Sequence, residues 1–156
     1  CRIPPESVDP TIKHYHWLDF EMALLDAYDR GGDTVVLLDR NGHITEGPGF
    51  NLFLVQNGGI TTPESGVLDG MTRRTLFELC AELEIRCTAT SIPATKITSS
   101  GEVFISSTAG GITPITTVNN QIIGDGLVGP ITRALRDLYW EKRGFGWHGT
   151  PIEKLS

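Results

Sequence analysis

The chain has 156 residues, 39% apolar and 21% charged, a composition that suits one folded core and excludes a disordered segment. Its 13 Lys and Arg against 19 Asp and Glu leave a formal charge of −6. That excludes a reader of the nucleic-acid backbone, whose affinity rests on clustered basic charge. No apolar run approaches the roughly 18 residues of a membrane span, and nothing reads as a signal peptide.

The first 17 residues, CRIPPESVDPTIKHYHW, read as a linker entering a strand or strand end near Thr11–Tyr15. Asp19 to Arg30 is a predicted helix, with Leu18, Met22, Leu25 and Tyr28 as its apolar stripe and Gly31-Gly32 as its stop. TVVLLD (Thr34–Asp39) is a predicted buried strand, and Asn41-Gly42 is the strongest short hairpin signal. HITE and NLFLV follow as strands, and Asn57-Gly58-Gly59 turns the chain into ITT. Thr75 and Glu78 have capping-box spacing, although the helix can also begin near Asp69-Gly70; Leu76, Leu79, Cys80 and Leu83 form its stripe. IRCTATSI is a strand, Pro93–Ser99 a short helical turn, and EVFISS (Glu102–Ser107) a strand running into Gly110-Gly111. ITPITTV and QIIG flank Asn119-Asn120 as a second hairpin. Pro130 opens a last helix to about Arg143, with Ile131, Leu135, Leu138 and Tyr139 on one side. Hairpin groups separated by helices predict an α+β fold rather than regular βαβ winding.

Cys1, Cys80 and Cys87 have no zinc-ligand spacing, and free thiols in a reducing cytoplasm fit best. No metal site is expected. Cys1 in place of Met points to a processed or truncated protein.

Several residues carry potential chemistry. Lys13, among aromatics and histidines, suits a desolvated Schiff-base nucleophile; taken alone it also reads as a solvated lysine, the commoner case. Glu46, between a strand and a glycine-rich turn, suits a buried carboxylate for a protonated ring nitrogen, or an exposed turn residue. LDGMTRRT puts Met71 and Thr72 in a first helical turn whose amides and hydroxyl can cradle a phosphate. SSTAGG offers Ser107, Thr108 and two glycines as a second donor set. A plain cap and a plain turn are the alternatives. His14 and His16 would face opposite sides of a strand, Arg73-Arg74 reads as a solvated helix face, and Trp140 and Trp147 as core or interface aromatics.

The stretches DPTIKHYHW, LLDRNGHITEGPGFNLFLV, GVLDGMTRRTLFELCAELEI, EVFISSTAGGITPIT and IGDGLVGPITRALRDLYW are collinear over nearly the whole chain. In that order the chain resembles the fold-type-IV, or class IV, pyridoxal-phosphate aminotransferases. DPTIK-x-x-x-W and the WHGTP tail look most like the (R)-amine and D-amino-acid branch. The resemblance implies the large cofactor-binding domain of the D-amino-acid aminotransferase-like fold, hairpin-rich sheets with packed helices. It implies that Lys13 forms the internal aldimine and moves the proton, Glu46 pairs with the pyridinium nitrogen and Leu68 packs on the ring. Met71, Thr72, Ser107 and Thr108 would hold the phosphate side, and Thr108 and Ala109 would meet the substrate. An amine or amino acid (R-amine, D-amino acid or branched-chain) and a 2-oxo acid or ketone would be the partners, in a cytoplasmic homodimer. Branched-chain members carry a tyrosine five residues after the lysine, where this chain has Leu18; Tyr15 is the nearest substitute. The smaller N-terminal domain of the family, with its phosphate-binding arginine, is expected to be absent. Residues 1–17 then form an interdomain segment, 18–143 the cofactor domain and 144–156 a tail. An aminodeoxychorismate lyase-like enzyme and a truncated, non-catalytic binding or dimerisation domain are the alternatives.

Overall fold

A computed structural model of the protein describes residues 1–152. Its main sheet contains Glu46–Gly47 (β1), Phe50–Gln56 (β2), Gly59–Pro63 (β3), Cys87–Thr90 (β4), Glu102–Ser107 (β5) and Gly111–Ile115 (β6). The order is β4-β3-β2-β5-β6, with β1 also paired to β2. Every pairing is antiparallel except β3 with β4. Thr117–Val118 (β7) and Gln121–Ile122 (β8) form a separate ribbon. The helices are Leu18–Asp29 (α1), Met71–Glu82 (α2) and Pro130–Gly144 (α3), with a 3-10 turn at Ala94–Lys96. The α+β class holds, with one βαβ unit, β3-α2-β4, set into hairpin-built sheet.

The pleat of β2 separates two cores, which is why FNLFLV is apolar without alternation. Phe53, Val55 and Phe104 pack under α2 and α3 against Leu76, Leu79 and Leu135. Phe53 and Phe104 are register partners, with parallel rings 5.0 Å apart. Leu52, Leu54 and Val103 point to the other face, covered by Ile44, Ile92, Ile97 and Ile123.

The turns divide by backbone sign. Asn57-Gly58 joins β2 to β3 with φ of 49° and 74°, and Asn119-Asn120 joins β7 to β8 with 48° and 62°. Both are two-residue connections with positive φ throughout, as the strand twist requires. Asn41-Gly42 differs, since only Gly42 has positive φ, at 80°. Asp39 and His43 close a three-residue loop there, and the Asp39 carboxylate accepts the N–H groups of Asn41 and His43.

The predicted strand TVVLLD is therefore not a regular strand. Its pairing is limited to a bridge between Leu38 and Ile44. Leu37 donates its N–H to Glu46 O but accepts from Thr45 N–H, both at 3.0 Å. Two residues oppose one, a β-bulge that interrupts the ladder and re-aims the side chain at its edge, Glu46. Thr11–Tyr15 is likewise not a strand; an Asx turn at Asp9 shapes its start.

The α1 stripe also needs correction. Leu18, Met22, Leu25 and Tyr28 are all more than half exposed, while Phe20 is buried and Leu24 and Ala27 are half-buried. Spacing of four and three puts that second set on the inward face, opposite Met22 and Leu25. Thr75 and Glu78 do not start α2. Its N-cap is Gly70, and Thr75 Oγ1 instead donates to Thr72 O within the helix. α3 opens at Pro130 as expected, and Ile131, Leu135, Leu138 and Tyr139 face the core. The expected tail begins in α3's last residue, and its residues 153–156 lie outside the described residues.

Among the described residues no helix is long and apolar enough to cross a membrane, and no three His, Cys, Asp or Glu side chains cluster to hold a metal. Cys1, Cys80 and Cys87 are free; the neighbouring Cys87 thiol, and then burial, push Cys80 up.

Candidate active site

A cavity of about 340 Å³ opens where β1, the start of β2, the end of β5 and the first turn of α2 meet the N-terminal segment. That volume lies in the range of small-molecule sites.

Glu46 enters from the bulged edge and is only 6% exposed. Its Oε2 accepts the Leu68 N–H at 2.8 Å and its Oε1 accepts Arg2 Nη2 at 3.2 Å. Burial pushes its pKa up, against the downward pull of the Leu68 amide and Arg2. The adjoining Gly47 admits no side chain, because a Cβ there would collide with the Phe50 ring and Val35 O. Asn51, the register partner of Glu46, donates through Nδ2 to Leu68 O at 2.8 Å. Glu46 and Asn51 thus hold both sides of the Leu68 peptide. A Cβ on Gly70 would press on Asn51 Oδ1 at 2.6 Å, so glycine suits that N-cap.

The first i→i−4 bond of α2 runs from Arg74 N–H to Gly70 O. The amides of Met71, Thr72 and Arg73 precede it and carry the partial positive charge of a helix start. Leu68, Met71 and Thr72 line the cavity, with Thr72 buried and Met71 exposed. Arg73 is not the solvated residue its pairing with Arg74 suggested. It is 8% exposed, donates to Asp69 Oδ1 at 2.9 Å and to Pro63 O at 3.0 Å, and lies over the Phe77 ring. Arg74 is exposed and also pairs with Asp69. Partial burial would raise Asp69, but both arginines hold it below the usual carboxylate range.

Across the cavity stand Ser106, Ser107 and Thr108. Ser107 Oγ accepts the Gly110 N–H at 2.9 Å and so closes the following turn. Ser106 is 2% exposed, and among the described residues its Oγ has no hydrogen-bond partner. A buried hydroxyl without a partner at a cavity wall is a place for a polar ligand. Thr108 is at the exposed rim, and Ala109 is exposed and outside the lining.

Lys13 lines the cavity from Pro10–His14, but it is exposed rather than desolvated. Its segment has no regular structure, so neighbours close in sequence do not wall it off. Trp17 Nε1–H to His14 O, at 3.2 Å, ties the far end down. His14 and His16 do not face opposite ways: their rings are 5.6 Å apart, and His14 Nδ1 accepts the His16 N–H. Neither Leu18 nor Tyr15 lines the cavity. Trp147 packs on the core, whereas Trp140 is 45% exposed.

Four functional candidates were not anticipated. Ser106 was legible, because alternation from the buried Phe104 points Ser106, not Ser107, to the same face. Asn51 and Asp19 carried no distinguishing pattern. Arg2 lies eleven residues before Lys13, in a segment with no periodicity.

The model of the family described as amino-transferase class IV matches residues 1–118. A branched-chain-amino-acid aminotransferase of Pseudomonas aeruginosa is 34% identical over 126 residues, which is 80% of this chain and 41% of that protein. A putative branched-chain-amino-acid aminotransferase of Methanocaldococcus jannaschii is 31% identical over 91% of this chain and 50% of its own length. The branched-chain amino acid aminotransferase of Thermobaculum terrenum, solved in its PLP form, superposes with a TM-score of 0.88 at 32% identity. It covers 94% of this chain, which covers 48% of that structure. The chain thus spans half or less of the length of these relatives.

Proposed function

The chain belongs to the amino-transferase class IV family, and on that premise we propose that it is the cofactor-binding part of a pyridoxal 5'-phosphate-dependent transaminase. The observation that carries the reading is the convergence on one cavity of an amine, a buried carboxylate and a helix start. The cofactor has a matching feature for each: an aldehyde carbon, a ring nitrogen and a phosphate. The partnerless Ser106 hydroxyl and the free first-turn amides of α2 fit a polar, anionic ligand. When bound, the cofactor supplies an electron sink for the pair left as a substrate carbon loses its proton.

The residues divide the work. Lys13 Nζ is the amine that holds the cofactor and carries the proton at the substrate carbon. Glu46 faces the ring nitrogen as an acceptor, and Leu68, fixed through both sides of its peptide, packs on the ring. Met71 and Thr72 receive the phosphate with their amides, joined by the Thr72, Ser106 and Thr108 hydroxyls. Ser107 acts one step back by shaping the Thr108 turn. Thr108, at the rim, meets the substrate; Ala109 stands farther out.

We assign residues 1–17 to the lysine-bearing segment, 18–143 to the cofactor domain and 144–156 to the tail. The substrates are an amino acid and a 2-oxo acid. The relatives' names favour the branched-chain type, whereas the DPTIK and WHGTP stretches favour an (R)-amine or D-amino acid. Half-reactions with L-leucine, D-alanine and (R)-1-phenylethylamine separate the types. The outward apolar face of α1 supports a homodimer, which sedimentation velocity tests. The deciding experiment is trapping: incubation with pyridoxal phosphate, borohydride reduction, digestion and mass spectrometry. A single pyridoxyl adduct on Lys13 is expected. Adducts scattered over surface lysines would sink the assignment.

A further inference from the structure

Behind Glu46 lies a charge cluster that the proposed reaction does not by itself require. Arg2 Nη1 meets Asp19 Oδ2 at 2.6 Å and Arg2 Nη2 meets Glu46 Oε1 at 3.2 Å, with all three side chains 7% exposed. The guanidinium lies 4.1 Å from the centre of the Phe20 ring. Arg2 is pinned at its backbone too, donating N–H to Leu38 O at 2.8 Å. Asp19 is anchored separately, by the amides of Ile3 and Phe20.

We propose that Arg2 is the positioning residue for the carboxylate that faces the ring nitrogen, and that Asp19 competes with Glu46 for it. This rests on the reading of Glu46 as the ring-nitrogen partner. One cation here serves two carboxylates, so the buried cluster carries one negative charge in excess when all three are ionised. A buried unpaired charge is costly. A protonated ring nitrogen at the cavity side of Glu46 supplies the missing positive charge. The cluster therefore favours the protonated ring, and Asp19 sets how strongly. The other titratable groups lining the cavity, Lys13, His14 and Asp69, make no ion pair with Glu46 among the described residues. Burial raises Glu46, Arg2 lowers it and the Asp19 charge raises it, in line with this competition.

The competition has a signature that loss of packing lacks. Removing Arg2 and removing the Asp19 charge should move Glu46 in opposite directions. The test is a carboxyl-carbon NMR titration of Glu46 in cofactor-free protein, for wild type, Arg2→Met, Arg2→Lys and Asp19→Asn. Glu46 is expected to titrate at higher pH in Arg2→Met, at lower pH in Asp19→Asn, and closer to wild type in Arg2→Lys. In protein loaded with nitrogen-15-labelled pyridoxal phosphate, the ring-nitrogen signal should move toward its neutral position in Asp19→Asn, where the excess negative charge is lost, and not in Arg2→Met. Should Arg2→Met fail to fold, Arg2→Lys must still move Glu46 upward against the fall in Asp19→Asn. Shifts of the same sign, or none, overturn the proposal. The cofactor-free titration stands apart from the trapping of Lys13. An adduct on Lys13 with an unmoved Glu46 refutes the role of Arg2 and leaves the transaminase reading intact. No adduct with opposed shifts does the reverse.

Discussion

Glu102→Ala tests how the third helix is started. Gly129, the N-cap of α3, has no side chain, and Pro130 has no N–H. The first helical bond is Arg133 N–H to Gly129 O. Within the helix that leaves the amides of Ile131 and Thr132, and Glu102 takes both: Oε1 accepts Ile131 at 3.1 Å and Oε2 accepts Thr132 at 2.7 Å. Losing such a cap costs about 0.5–2 kcal/mol. Losing the negative charge at the helix start adds about 0.3–1 kcal/mol. Glu102→Ala should therefore destabilise by about 2 kcal/mol, which for a chain of this size is a fall in Tm of about 4–8 °C. Glu102→Gln keeps an acceptor and should lose about 0.5 kcal/mol. Urea unfolding followed by circular dichroism measures both. A Glu102→Ala loss below about 0.5 kcal/mol would refute the argument, and so would a Glu102→Gln loss as large as that of Glu102→Ala.

Gly129→Ala should give a similar loss of about 1–2 kcal/mol in the same urea assay, because its Cβ would run into the Glu102 carboxylate. Lys13→Ala should abolish the borohydride-trapped adduct without shifting the urea midpoint, since the side chain is exposed. Glu46→Gln should slow turnover by about 100-fold while retaining partial cofactor binding, read by stopped-flow half-reactions. Unchanged turnover contradicts its ring-nitrogen role. The pH dependence follows from sign. Glu46 is raised in the fold, so the native state binds the extra proton and cofactor-free stability falls as pH climbs from about 4.5 through its folded pKa. Asp19 is lowered: burial opposes this, but the Ile3 amide and Arg2 prevail. Its contribution is present above its unfolded value and is lost as pH falls through its folded one. Unfolding free energies of Glu46→Gln across pH 4–8 should lack the decline above pH 4.5.

Legibility followed the range of the forces involved. EVFISS has the same limits as β5, and Asn57-Gly58, Asn119-Asn120 and Pro130 sit where their local backbone preferences require. Lys13, Glu46, Leu68 and Thr72 do come together at one cavity, but local pattern alone left each with a plainer reading. What escaped was settled at a distance. The Thr45–Glu46 bulge breaks a run whose composition is pure strand. α1 has two apolar stripes of similar spacing, and only packing decides which turns inward. Arg2 and Glu46 are 44 residues apart, and Glu102 caps a helix 29 residues on. No periodicity spans such separations.

The parallel pairing of β3 with β4 has a kinetic consequence. α2 is the crossover between those strands, so its axis is set by the sheet and by Arg73 reaching back to Pro63. Its open amides are aimed before any ligand arrives. An anion docking there orders no backbone, so its capture should be limited by entry through the mouth of the cavity. Changes in the connection from 64 to 70 should then appear as shorter residence times rather than slower association.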